Sequence, residues 1–161
     1  MAGKYLELTG KFQTRVSELD AEHQRLVDII NHMYDIYRQR RPEQEVLLVL
    51  DELLDYGAHH FADEEVYMGT IGAPGLDAHK QIHKNLLDQA AALKDRLQSG
   101  QEGVGEETFK FLQNWLMNHI AGTDIRDYGV SEAEIDGMSD EQLQRLANSL
   151  ADYTGDPVQE G

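Results

Sequence analysis

Histidine stands in this sequence at positions where the helical pattern predicts leucine. Apolar residues recur with a period near 3.6 over most of the chain, and only three prolines interrupt it. One stripe reads Val46, Leu50, Leu53, Gly57 and then His60 and Glu64. Another opens on His79 and His83 and continues as Leu86, Ala90, Leu93 and Leu97. A third runs Phe109, Leu112, Leu116, His119, while His23 stands three residues before Leu26 and seven before Ile30. Side chains three, four and seven apart share a helix face. Five imidazoles and one carboxylate therefore point into a core from four helices, where each unpartnered polar group costs roughly 2–7 kcal/mol. Something must satisfy them.

The same periodicity predicts the architecture. A first helix starts at Ser17 or Asp20, either of which can cap it, and runs to about Gln39 with Leu19, Leu26, Val27, Ile30, Tyr34 and Tyr37 inward. Pro42 suits the first position of a second helix, which reaches about Met68 and carries Val46, Leu50, Leu53, Gly57, Phe61 and Val66 near one face. Beyond the Gly/Pro-rich loop 69–75, a third helix spans about Asp77 to Gln98. Beyond loop 99–105, a fourth spans about Glu106 to Ala121 with Phe109, Leu112, Trp115, Leu116 and Ile120 inward. Four helices with short connections predict an all-α, antiparallel, up-down four-helix bundle. Residues 1–130 are assigned to it. Residues 131–161 read as an acidic extension, with eight acidic residues against Arg145 alone. Within it, Ser139 and Gln142 form a capping-box pattern, and Leu143, Leu146 and Leu150 predict a short amphipathic extra helix.

Composition narrows the chemistry. With a net charge of −16 on 161 residues, neither nucleic acid nor an anionic membrane surface is an expected partner. No apolar run is long enough to span a bilayer, and the opening Met-Ala-Gly-Lys-Tyr lacks the core of a signal peptide, so a cytoplasmic location and a monomeric state are expected. The absence of cysteine excludes thiolate metal sites and thiol catalysis. Nitrogen and oxygen ligands remain.

A lone buried histidine ordinarily finds a carbonyl or a neighbouring acid. Here His79-x-x-x-His83, His60-x-x-x-Glu64, His23, and His119 close to Asp124 coincide, and the coincidence favours metal. Five imidazoles and two carboxylates are too many for one ion but suit two. If Glu64 and Asp124 both bridge, with a solvent-derived oxo or hydroxo oxygen as third bridge, three imidazoles complete six-coordination on one ion. Two imidazoles leave the other with five ligands and one position open to a small exogenous ligand. Asp124 follows His119 by five residues, about 140° around an ideal helix, so the backbone must leave regular helix between them, with Gly122 as the permissive point. His32 and His59 fall off these stripes and read as surface or flank residues. A ferritin-like centre needs Glu-x-x-His, and no glutamate stands three residues before any histidine.

Residues 17–128 resemble the hemerythrins, in particular the bacterial single-domain bacteriohemerythrins. The resemblance rests on Leu19-Asp20-Ala-Glu-His23, His60-Phe61-Ala-Asp-Glu64-Glu65, His79-Lys-Gln-Ile-His83 and Trp115-Leu116-Met-Asn-His119-Ile120-Ala-Gly-Thr-Asp124. It implies two non-haem irons, one bound by His79, His83 and His119 and the other by His23 and His60, with Glu64 and Asp124 bridging. It also implies reversible dioxygen binding at the five-coordinate iron, as both irons pass from ferrous to ferric. The residues themselves suggest an apolar pocket wall of Phe61, Trp115, Leu116 and Ile120, which offers little proton-donating chemistry. Storage, delivery or scavenging of oxygen is the expected role, rather than catalysis. The alternatives are an oxygen or redox sensor signalling to a protein partner through the acidic tail, and an enzyme consuming peroxide or nitric oxide.

Overall fold

The structure, a computed structural model, describes residues 5–9, 12–129 and 137–145. Four helices dominate: α1 (Ser17–Arg38), α2 (Glu43–Thr70), α3 (Leu76–Gln98) and α4 (Val104–Asn118). Helix α1 packs on α2, α2 on α3, α3 on α4, and α4 back on α1. The up-down four-helix bundle expected from the periodicity is thus the observed fold. A π-helical stretch, His119–Asp124, continues α4 directly into a last turn, Ile125–Asp127.

Antiparallel order is what brings the polar stripe positions together. His23 lies near the start of α1, His60 and Glu64 late in α2, His79 and His83 at the start of α3, and His119 just past the end of α4. Because successive helices run in opposite directions, all of these fall at one end of the bundle. The other end is apolar: Leu26, Ile30, Met33, Leu50, Leu53, Phe109 and Leu112 form one buried cluster. Full burial of each such side chain contributes about 1.5–3 kcal/mol, and this layer offsets the cost of the polar end.

Local starts and stops differ in detail from the sequence expectation. Ser17 opens α1 without a side-chain cap. Asp20 instead reaches back, accepting hydrogen bonds from the backbone N–H of Thr14 (2.8 Å) and Arg15 (3.2 Å) and from the Thr14 hydroxyl (2.7 Å). Those bonds hold Arg15 at φ 75°, a left-handed conformation unfavourable for a residue with a Cβ. Pro42 precedes α2 rather than opening it. Val66, expected near the inner face of α2, is 46% exposed, because the stripe turns towards Glu64, Tyr67 and Met68 in the last turns. The N-terminal arm is clipped on by Asn31, whose amide exchanges two hydrogen bonds with the Leu6 backbone, at 2.7 and 2.9 Å.

The short extra helix is present over residues 140–145. Its capping box is formed as expected: the Ser139 N–H donates to Gln142 Oε1 at 2.9 Å, and the Gln142 N–H donates to Ser139 Oγ at 3.2 Å. Leu146 and Leu150, the rest of the expected stripe, lie outside the described residues. No described helix is long and apolar enough to cross a membrane.

Candidate metal centre

Seven side chains converge at the polar end: His23, His60, Glu64, His79, His83, His119 and Asp124, all buried. Their ligand atoms separate into two groups. Glu64 Oε1 lies 2.6 Å from His79 Nε2, 2.9 Å from His83 Nε2 and 3.8 Å from His119 Nε2. Glu64 Oε2 faces the other way, 3.4 Å from His23 Nε2 and 3.3 Å from His60 Nε2. Asp124 divides in the same sense, with Oδ1 at 2.9 Å from His119 Nε2 and 3.2 Å from His79 Nε2, and Oδ2 at 3.2 Å from His23 Nε2. Each carboxylate therefore presents one oxygen to a three-imidazole group and the other to a two-imidazole group.

The backbone departure needed to aim Asp124 is the π-helical stretch His119–Asp124. In a π-turn the hydrogen bond runs from residue i to i+5, so residues five apart come to share a face. Its glycine has a smaller role than the sequence suggested. Gly122 has no left-handed φ, and a Cβ there would meet nothing within 4 Å, so the stretch is not sterically dependent on glycine.

Outer carboxylates orient the rings. The Nδ1–H of His60 donates to Glu22 Oε1 at 2.7 Å, that of His79 to Asp127 Oδ2 at 2.8 Å, and that of His83 to Glu65 Oε2 at 2.7 Å. Such bonds fix which nitrogen faces inward and raise its basicity. Tyr128 donates its hydroxyl to Glu64 Oε2 at 2.8 Å. Although Tyr128 is partly exposed as a residue, burial of the phenol and the charges of Asp124 and Glu64 raise its pKa well above the usual value, so it keeps the proton it donates. Sequence reasoning missed Glu22, Glu65, Asp127 and Tyr128. The one available signal is adjacency, since Glu22 precedes His23 and Glu65 follows Glu64.

The buried carboxylates of Glu64 and Asp124 favour positive charge beside them. Burial works against charge on His23, His79 and His119, yet the Asp124 and Glu64 carboxylates outweigh it and hold the imidazoles at about 9, about 10 and about 9. Burial also lowers His60, and hydrogen bonds to Glu22 and Glu64 raise it above the usual value in spite of that. Burial raises Glu64, but its imidazole partners, His119 first, bring it well below the carboxylate range. Asp124, raised by burial and by Glu64, is brought by His119 and His23 to about 2. Protons on Nε2 thus supply, in the metal-free protein, the positive charge that metal ions would supply. Even so, both nitrogens of His23 and both oxygens of Asp124 are buried without a hydrogen-bond partner. Orphaned donors and acceptors of this kind are rare in folded proteins. Three imidazoles with Glu64 and Asp124, and two imidazoles with Glu64, form clusters able to chelate two ions.

Around this cluster, the Phe61 ring stacks on His83 with centroids 3.9 Å apart and 8° between planes, and meets Trp115 edge-on at 5.7 Å. Leu116 and Ile120 are buried, whereas Trp115 is half-buried. A cleft of about 370 Å³, lined by Ile82, Leu86, Phe111 and Trp115 among others, reaches His119 from the surface. His32 is exposed. His59 sits beside Asp63 rather than in the cluster.

Residues 14–128 match the family described as "Hemerythrin HHE cation binding domain". A bacteriohemerythrin of Pseudomonas aeruginosa is 37% identical over 111 residues, covering 69% of this chain and 71% of that protein. One of Methylococcus capsulatus is 32% identical over 114 residues, covering 71% and 86%. A crystal structure of a hemerythrin mutant with alanine in place of a leucine superposes with a TM-score of 0.71 at 29% identity, covering 78% of this chain and 96% of that one. The buried cation-chelating cluster and these likenesses agree: the chain belongs to the hemerythrin family.

Proposed function

We propose that the cluster holds two non-haem irons and binds dioxygen reversibly, as a carrier or store rather than a catalyst. His79, His83 and His119 would hold one iron and His23 and His60 the other, with Glu64 and Asp124 shared between them and an oxo or hydroxo oxygen from solvent completing the pair. The observation that carries this reading is the split of Glu64, one oxygen towards three imidazoles and the other towards two. With three imidazoles on one side and two on the other, the side with fewer donors would leave room for a small ligand. When bound, a ferrous pair supplies the two electrons that dioxygen takes up and returns.

The chain's own residues then have to hold that chemistry in check. Glu22, Asp127 and Glu65 hold the rings of His60, His79 and His83 in place through Nδ1. The Tyr128 hydroxyl steadies Glu64 while retaining its proton. Phe61, Trp115, Leu116 and Ile120 provide an apolar wall that restricts water and proton entry, conditions that favour return of dioxygen over its escape in reduced form.

Metal content of single variants tests the assignment. His83→Ala loses iron, whereas His32→Ala keeps two irons per chain. Anaerobically reduced protein takes up one dioxygen per two irons and releases it under argon. A different resident metal, or uptake that evacuation does not reverse, would overturn the proposal.

A further inference from the structure

Beside the main cluster, on the α1–α2 seam, three more metal-ligating side chains come together. His59 and Asp63 lie one turn apart on α2, with His59 Nε2 3.3 Å from Asp63 Oδ2. Glu22 reaches them from α1, and one ligand atom from each of the three lies within 4.8 Å of the other two. None of these residues needs to contribute a ligand to the primary centre.

Asp63 is the informative member. It is fully buried, at 0% exposure, and neither of its carboxylate oxygens accepts a hydrogen bond. A buried carboxylate so poorly supplied with donors is strongly unfavourable: His59 stands 3.3 Å off, and its neighbour Glu22 is a second acid that can donate to it only while protonated. Arg25, one turn after Glu22 on α1, does not relieve it, because its guanidinium is engaged with Glu52 at 3.1 Å. A cation coordinated by both carboxylates and by His59 satisfies all of these atoms at once.

We propose that Glu22, His59 and Asp63 form a third cation site, suited to a divalent first-row transition ion. Imidazole nitrogen and carboxylate oxygen are both zinc ligands. Two ligand atoms each about 2.1 Å from a tetrahedral ion stand about 3.4 Å apart, which matches the His59–Asp63 separation. His59 is 33% exposed, so the ion can enter from solvent and keep water as its remaining ligand. The site is coupled to the primary centre, because Glu22 also accepts the Nδ1–H of His60 at 2.7 Å. A cation on Glu22 draws electron density from that hydrogen bond and makes His60 a poorer donor to its own metal.

The test is zinc titration of the full chain with its primary centre already loaded, followed by calorimetry, with the resident metal counted before and after. The expected result is one further equivalent of zinc per chain with the resident metal retained. Asp63→Asn, which preserves shape, and His59→Gln are each expected to weaken that equivalent at least tenfold while the resident metal stays. Should Asp63→Asn disturb folding, His59→Gln, at a more exposed position, decides the matter. No additional equivalent, zinc uptake matched by loss of resident metal, or an equivalent bound unchanged in both variants would overturn the proposal.

Discussion

The Nδ1–H of His79 donates to Asp127 Oδ2 at 2.8 Å, tying the start of α3 to the turn that follows the π-helical stretch. Asp127 is itself braced by Arg126, whose Nε lies 2.7 Å from Oδ1 and whose Nη2 lies 3.1 Å from Oδ2. Burial raises Asp127, but Arg126 and His79 outweigh it and hold its pKa below the usual value, so it remains a charged acceptor. Removing the charge while keeping the shape isolates this contact. Asp127→Asn is expected to lower metal affinity by about 10–100-fold, the usual effect of losing such an outer partner. Competition with a chromogenic chelator measures it, and unchanged affinity would show that the hydrogen bond does not support the ligand.

The π-helical stretch makes a prediction about length rather than composition. Gly122→Ala should retain the metals and leave stability unchanged or raise it by up to about 1 kcal/mol, because a Cβ meets open space and alanine is the better helix former. Deleting Gly122 should instead turn Asp124 away from His119 and cost metal binding while helical content persists. Circular dichroism and metal analysis on the two variants distinguish these effects. Loss of metal in Gly122→Ala would show that glycine itself is required.

The pH dependence of the metal-free protein follows from the raised imidazoles. His23, His79 and His119 sit at about 9, about 10 and about 9 when folded, against about 6.5 in an unfolded chain. Their contribution is fully present below about pH 6.5 and is lost as pH rises through the folded values. The metal-free protein should therefore lose thermal stability steadily from pH 7 to 10. The metal-loaded protein, with no proton on Nε2 to lose, should not show that loss, and acid should strip its metals as protons compete for the same nitrogens. Melting curves of both forms across this range check the sign. A metal-free midpoint that is flat or rises towards pH 10 would contradict it.

Leu116 separates packing from pocket function. It is buried one turn before His119, so Leu116→Ala should cost about 2–5 kcal/mol of stability while keeping both metals. If it also walls the ligand site, the oxygenated form should decay faster and azide should bind faster, as water and small anions enter the space. Stopped-flow spectroscopy beside thermal unfolding resolves the two, and unchanged decay in a destabilised protein would assign Leu116 to packing alone.

The core of this architecture was legible because helical periodicity constrains it twice. His60 and Glu64 continue the stripe of Leu50 and Leu53, and a residue cannot share that face without being carried into the core. Even the irregular backbone before Asp124 was legible, since about 140° of misalignment had to be corrected somewhere in five residues. The ring-orienting carboxylates were not. Among 30 acidic residues, nothing local distinguishes Glu65, which meets His83 across α2 and α3, from solvated neighbours; only tertiary packing selects it. Asp63 was hidden for a related reason. It lies one residue before Glu64, about 100° around the helix and off the apolar stripe, and only the packing of α1 against α2 buries it beside Glu22. The capping of α1 was misread because Asp20 serves the chain before the helix instead of the helix's own first turn.

The most direct test of the central claim is the optical spectrum of the protein reduced without oxygen, recorded before and after exposure to air and again after purging with argon, beside metal analysis of the same sample. Two irons per chain, with a visible charge-transfer band that appears in air and fades on purging over repeated cycles, is the predicted result. A different metal, or a pair of irons whose spectrum does not respond to oxygen or never returns, would contradict reversible dioxygen binding at this centre.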